Sequence, residues 1–246
     1  MRRALCLLLL APTVVALPVA AGSDRAQHAV VDPATDRPTG CTRGDGAFRS
    51  HGPRELKRIA IGFDDGPSAF TSRVLGILNR FDAHATFFAI GQEVRGRGEL
   101  MRRVLDAGNE IGNHTMRHGS YPTRSDLAAT NRVIQRATGF RPCLFRPPGG
   151  HVNGALVRRA DSEELTTIGW DVDPRDWSNP GSGAIAANVI HHAHRGSIVV
   201  MHDGGGKRSQ TIAALPRVLS HFIDRGYEFV TVTELLGHEW TYGLSE

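Results

Sequence analysis

Cysteine is scarce in this 246-residue sequence: there are three, too few for a small scaffold held together by disulfides alone. Aromatic residues make up only 7% of the chain, and no Lys/Arg stripe interleaved with aromatics occurs. Despite a net charge of +4, that pattern argues against nucleic acid as a partner, although a mildly basic surface suits an acidic polymer. Beyond the N-terminus no apolar run is long enough to cross a bilayer, and no repeat or low-complexity block is present. With 40% hydrophobic and 22% charged residues, wholesale disorder and a collagen-like chain are also excluded. What is left is a globular composition, long enough for one large domain with a substantial core. Its 28 Gly and 13 Pro imply many tight turns.

The N-terminus reads as an export signal over residues 1–21. Arg2 and Arg3 precede a largely apolar run from Ala4 to Leu17, and Val19, Ala20 and Ala21 supply small residues suited to cleavage after Ala21. A retained membrane anchor is disfavoured, because the run is short and interrupted by Pro12 and Pro18. The mature chain is then expected to be secreted, extracellular or cell-wall associated, without a transmembrane segment. Removal of the signal takes Cys6 with it and leaves Cys41 and Cys143 in an oxidising compartment. Parity and compartment favour a bridge between them over two unrelated thiols. Zinc binding through this pair lacks neighbouring ligands in the sequence. Residues 22–54 are polar and rich in Asp, Arg, Pro and Gly, which is linker composition. Their Arg43-Gly44-Asp45 is a common surface tripeptide and carries no adhesion argument.

From Lys57 the pattern changes, and residues 55–246 read as a single catalytic domain. Short apolar runs occur at Ile59–Phe63, Ala85–Ile90, Glu110–Gly112, Leu144–Phe145, Leu165–Gly169, Ile198–Met201 and Tyr227–Val230. Between them lie stretches with helical character near 71–80, 97–107, 125–138, 153–161, 184–195 and 210–224. Gly108, Gly139, Gly196 and Gly226 close four of these, as glycines after helices do. Strand followed by helix, repeated about seven times, predicts an α/β fold with parallel strands. A (β/α) barrel is the economical form, and an open doubly wound sheet is the alternative.

On that scheme the chemically capable residues fall at the C-terminal ends of strands. Asp64 and Asp65 follow the first strand, His114 and His118 the third, and Arg146 the fourth. Asp171, Asp173 and Asp176 follow the fifth, and His202 the sixth. In a parallel barrel those ends share one face, where catalytic groups gather. Adjacent carboxylates point different ways, so one of Asp64 and Asp65 can hold a metal while the other faces a substrate. His114 and His118 are four apart, so one helical turn would bring both imidazoles to the same side. With a carboxylate they make a two-His, one-Asp set with open coordination positions. Other clusters read differently. Gly204-Gly205-Gly206-Lys207 fails as a phosphate loop, because Met201 and Arg208 stand where Gly and Ser or Thr are needed. His191, His192 and His194 end a helical stretch, where polar or positive groups complement backbone carbonyls.

Gly62-Phe63-Asp64-Asp65-Gly66-Pro67, His114-Thr115-Met116-Arg117-His118, Arg146-Pro147-Pro148, Asp173-Pro174-Arg175-Asp176-Trp177 and Val200-Met201-His202 occur in that order. The series resembles the polysaccharide deacetylases of carbohydrate esterase family four, the group with the NodB homology domain, over about residues 57–235. The resemblance implies a distorted (β/α) barrel with Asp64 as catalytic base. It implies a divalent metal, usually Zn2+ with Co2+, Ni2+ or Mn2+ as alternatives, held by Asp65, His114 and His118. Arg146 would position Asp64, and His202 would act as general acid supported by Asp176. Trp177 and Val200 would line the acetyl pocket. Three departures stand out: Gly62 replaces a common Thr, Gly149 stands where an aromatic is frequent, and Val200 replaces a common Leu. The Gly149 N–H still suits an oxyanion donor, while a substrate-facing ring is lost.

The expected activity is removal of N-acetyl groups from N-acetylated glycans of peptidoglycan or chitin type, by a chain acting as a monomer. O-deacetylation of a xylan-type polysaccharide would need the same residues. A non-catalytic glycan-binding module on the same fold is the alternative of a different class, and it would not require both an acid and a base.

Overall fold

The structure is a computed structural model, and it describes residues 36–42 and 46–244. The expected signal sequence and residues 22–35 and 43–45 of the expected linker lie outside the described residues. In chain order the first elements are β1 (Asp36–Cys41), β2 (Phe48–Arg49), β3 (Arg58–Asp64), α1 (Thr71–Arg80), β4 (Thr86–Ala89) and α2 (Gly91–Val94). Then come α3 (Gly98–Asp106), β5 (Glu110–Asn113), α4 (Arg124–Thr138), β6 (Leu144–Phe145), α5 (Gly154–Asp161) and β7 (Thr166–Ile168). The chain finishes with α6 (Ser182–His192), β8 (Ile198–His202), α7 (Ser209–Ile223), β9 (Glu228–Val230), α8 (Val232–Leu235) and β10 (Trp240–Leu244).

Side-chain alternation explains why the strands form one curved sheet. Ile59, Ile61 and Phe63 of β3 pack outward against the helices, in a core shared with Val74 and Leu78 of α1 and Leu215 and Leu219 of α7. The alternate residue Ala60 packs inward with Phe88, Leu144, Ile168 and Ile198. Both faces are therefore covered, and near-continuous apolar strands are what a parallel sheet requires. The order is β2-β7-β6-β5-β4-β3-β8, with β9 also pairing β3, and every pairing is parallel. β9 takes the first part of one β3 edge (Arg58–Ala60) and β4 the second (Gly62–Asp64), while β8 takes the other edge. Beyond β7, Val172 forms a parallel bridge to Val199 of β8, and the Val200 N–H donates to the Val172 carbonyl at 3.0 Å. That contact brings the two sides of the sheet together, so the barrel is distorted rather than open. Val232 and Leu235 of α8 join the inner core at the end where the strands begin.

Helix limits follow local signals. The Thr123 side chain accepts a hydrogen bond from the Asp126 N–H at 3.1 Å to start α4, and Gly139, with φ 82°, stops it. Leu127, Thr130, Asn131 and Ile134 form its buried face. No helix among the described residues is long and apolar enough to cross a membrane.

The expectation of a linker over 22–54 needs correction where that segment is described. β1 pairs antiparallel with β10, and β2 pairs parallel with β7, adding an eighth strand to the expected seven. β1 reads as linker because its sequence, Asp-Arg-Pro-Thr-Gly-Cys, has none of the apolar alternation that marks a half-buried strand. Cys41 in β1 and Cys143, immediately before β6, are bonded, with Cα atoms 5.9 Å apart.

Candidate active site

Strand parity carries the polar residues to one mouth. In the inward series of β3, Ala60 and Gly62 lead to Asp64. In β8, Ile198 and Val200 lead to His202, which is the register partner of Asp64. His114 follows β5, and its backbone N–H donates to Ala89 at the end of β4. Arg146 follows β6. All lie at the C-terminal ends of parallel strands. An open pocket of about 350 Å³ there is lined by Asp64, Asp65, His114, His118, Gly149, Trp170, Asp173, Trp177, Val200 and His202. Its volume lies at the lower end of small-ligand sites.

Asp65, His114 and His118 each offer one ligand atom, and the three atoms lie within 4.8 Å of one another. Nδ1 of His114 donates to the Arg146 carbonyl at 2.8 Å, which leaves Nε2 with its lone pair directed at Asp65. Oδ1 of Asp65 is buried without a well-aligned hydrogen bond, although Nε2 of His118 lies 3.2 Å away and that of His114 3.4 Å. Electron-pair donors facing one point are what a cation needs, so the residues fit a divalent metal. The expected helical turn between the histidines is absent. His114 leaves the strand, and an irregular turn with Thr115 at φ 66° and His118 at φ 57° closes the gap to 5.1 Å between ring centroids. Asp65 also sits at φ 71°. Left-handed backbone at non-glycine residues costs energy and clusters at functional sites.

Two dyads flank this cluster. Nη1 of Arg146 donates to Asp64 Oδ1 at 2.8 Å, with Arg146 wholly buried and Asp64 nearly so. The guanidinium lies 4.0 Å above the Phe88 ring, and its Nη2 donates to the Gly169 carbonyl at 3.2 Å. A Cβ at residue 62 would overlap that guanidinium, so the glycine there gives Arg146 its space. On the other side, Asp176 Oδ1 and Nδ1 of His202 are 2.7 Å apart. Asp176 Oδ2 accepts from the His202 N–H at 3.0 Å and from the Thr211 hydroxyl at 2.7 Å. Burial disfavours a charged His202, but the bond to Asp176 and the neighbouring carboxylates outweigh it and raise its pKa.

Gly149, Trp177 and Val200 reach the pocket wall, Gly149 in a left-handed conformation at φ 65°. Asp173 lines the pocket while its carboxylate accepts from the Arg175 N–H in a local turn. Asp171 is not among the pocket-lining residues; it bonds Ile198, Ser197 and Arg54. Trp170, Thr211 and Asp203 were not foreseen. Trp170 continues the inward parity of Thr166 and Ile168, a signal present in the sequence. Asp203 is wholly buried beside Asp64, bonded to Thr71, and burial lifts its pKa to about 7.

The polysaccharide deacetylase family profile matches residues 51–168. Over 195 residues the chain is 44% identical to a peptidoglycan-N-acetylglucosamine deacetylase of Bacillus cereus, covering 76% of this chain and 92% of that protein. The chain belongs to the polysaccharide deacetylase family. A chitooligosaccharide deacetylase of Sinorhizobium fredii is 35% identical, covering 69% of this deacetylase-family chain and 87% of its own. Among solved structures, a peptidoglycan N-acetylglucosamine deacetylase in complex with 4-naphthalen-1-yl-N-oxidanyl-benzamide has a TM-score of 0.74 at 26% identity, covering 78% of this chain and 93% of that one. A carbohydrate esterase family four pseudoenzyme from Bacillus anthracis has a TM-score of 0.72 at 31% identity, with coverage of 78% and 70%. Membership of the polysaccharide deacetylase family thus includes proteins with and without turnover, and the residues of this pocket bear on which applies.

Proposed function

We propose that this protein is a secreted, metal-dependent hydrolase that removes N-acetyl groups from N-acetylated glycans of peptidoglycan or chitin type. The observation that carries the reading is the pairing of Asp64 with Arg146 and of His202 with Asp176 around the Asp65, His114 and His118 cluster. A binding module needs neither an oriented base nor an oriented acid. Export rests on the basic and apolar N-terminus and on a bonded cysteine pair.

Asp65, His114 and His118 would hold a divalent cation, zinc by its preference for such donors, which would supply polarisation of the acetamide carbonyl and a more acidic water. Asp64, oriented by Arg146, takes a proton from the attacking water as its oxygen bonds to the carbonyl carbon. The Gly149 N–H stabilises the negative charge developing on the carbonyl oxygen. Protonated His202, oriented by Asp176 through Nδ1, delivers the proton on Nε2 to the departing nitrogen. The C–N bond breaks, leaving acetate and a free amine. Trp177 and Val200 wall the acetyl methyl group.

The test is acetate release from peptidoglycan, chitin oligomers and acetylated xylan by metal-loaded protein. Release from the N-acetylated substrates, with a loss of about a hundredfold or more in Asp64→Asn or His202→Ala, is expected. Release from xylan alone would redirect the reading to O-deacetylation. Binding without acetate release from any of the three would make the protein a glycan-binding module.

A further inference from the structure

Tyr121 is 66% exposed, more than any other large apolar side chain among the described residues. Its ring meets the exposed ring of His151, with centroids 6.0 Å apart and planes inclined by 31°. The pair is continuous with the pocket. Cδ2 and Nε2 of His151 lie 3.1 and 3.2 Å from the point a Cβ on Gly149 would occupy, and Gly149 lines the pocket wall. Tyr121 follows the pocket residue His118 by three positions. The backbone beneath the rings is anchored: Nη1 of Arg159 donates to the Pro122 carbonyl at 2.6 Å, and the Gly119 N–H donates to the Thr115 hydroxyl at 3.1 Å. Beyond His151, Asn153 caps α5 by accepting from the Leu156 N–H at 2.9 Å. Exposed rings on a fixed backbone are pre-organised for a ligand, because little ordering remains to be done when it binds.

We propose that Tyr121 and His151 form a carbohydrate platform that supports the pyranose ring adjoining the sugar whose acetamide enters the pocket. The proposal rests on the glycan reading above and extends it from one sugar to two. The small pocket leaves the neighbouring ring of an oligomer outside it, and His151 adjoins the pocket wall at Gly149 with Tyr121 against its ring. A pyranose presents a face of C–H groups to an aromatic face, whose electron density complements them, while its equatorial hydroxyls stay in water. Stacking does not need the tyrosine hydroxyl.

Two measurements on folded protein, checked by thermal melts, test the platform. Calorimetry with the glucosamine tetramer, which has no acetyl group to lose, reads binding alone. Wild type is expected to bind it, Tyr121→Ala and His151→Ala to bind about tenfold more weakly, and Tyr121→Phe to match wild type. Acetate release is then compared for N-acetylglucosamine and its tetramer. Tyr121→Ala is expected to raise KM for the tetramer about tenfold, leave its kcat within twofold, and leave the monosaccharide unaffected. No measurable tetramer binding by wild type, wild-type binding by both alanine variants, or equal losses on monosaccharide and tetramer would each overturn the platform. Tyr121-dependent tetramer binding without acetate release would overturn the proposed reaction while leaving the platform standing. Acetate release with unchanged variants would do the reverse.

Discussion

His114 and Arg146 are joined through the backbone: Nδ1 of His114 donates to the Arg146 carbonyl at 2.8 Å. The guanidinium of the same arginine pairs with Asp64. One residue therefore fixes the imidazole of a candidate ligand with its main chain and the candidate base with its side chain. The two roles are separable. Arg146→Lys keeps the carbonyl but loses the second guanidinium donor and the stacking on Phe88. Zinc uptake by calorimetry should stay at one ion per chain, while kcat falls about a hundredfold.

A shifted pH profile should follow Asp176→Asn. Asp176 raises the His202 pKa against the opposing effect of burial. In its proposed role as general acid His202 works only when protonated, so activity should be lost as pH rises through its pKa. Removing the Asp176 charge lowers that pKa, and the alkaline limb of kcat/KM should move to lower pH. An unmoved alkaline limb would mean that another group donates the proton.

The barrel and the convergence of polar residues on one pocket were legible because they depend on simple periodicities. Alternation along Ile59–Asp64 and Ile198–His202 places Asp64 and His202 on the inner face, and glycines such as Gly139 mark helix ends. The spacing of His114 and His118 was legible as a pair, but the turn joining them was not, since it runs through left-handed Thr115 and His118 that no period encodes. β1 was hidden because its partner, β10, lies some two hundred residues away and its own residues lack apolar alternation. Burial of Asp203 comes from packing against Thr71, Ser68 and Gly66, a long-range arrangement invisible in a local window.

Glu110 provides a prediction about stability. It is wholly buried where the strands begin, accepts from the Thr86 hydroxyl at 2.9 Å and from the Thr233 N–H at 3.2 Å, and burial pushes its pKa up to about 7. Between its unfolded value near 4.5 and about 7 the folded state binds the extra proton. Stability from this group is therefore greatest at the acid end of that window and declines as pH rises through it. Glu110→Gln should flatten that part of a Tm-against-pH curve.

Reducing the Cys41–Cys143 bond should lower stability without abolishing the site. The bond closes a loop with a sequence separation of 102 and sits where β6 begins, at the other end of the strand from the pocket. Cys143→Ser should cost about 2–4 kcal/mol in denaturant unfolding while retaining acetate release at temperatures where the protein stays folded.

Metal reconstitution tests the central claim most directly. Protein stripped by a chelator and titrated with zinc should regain acetate release from the N-acetylglucosamine tetramer in step with one bound ion per chain, and His114→Ala should lose both together. Acetate release that persists in excess chelator, or zinc uptake unchanged in His114→Ala, would contradict the account.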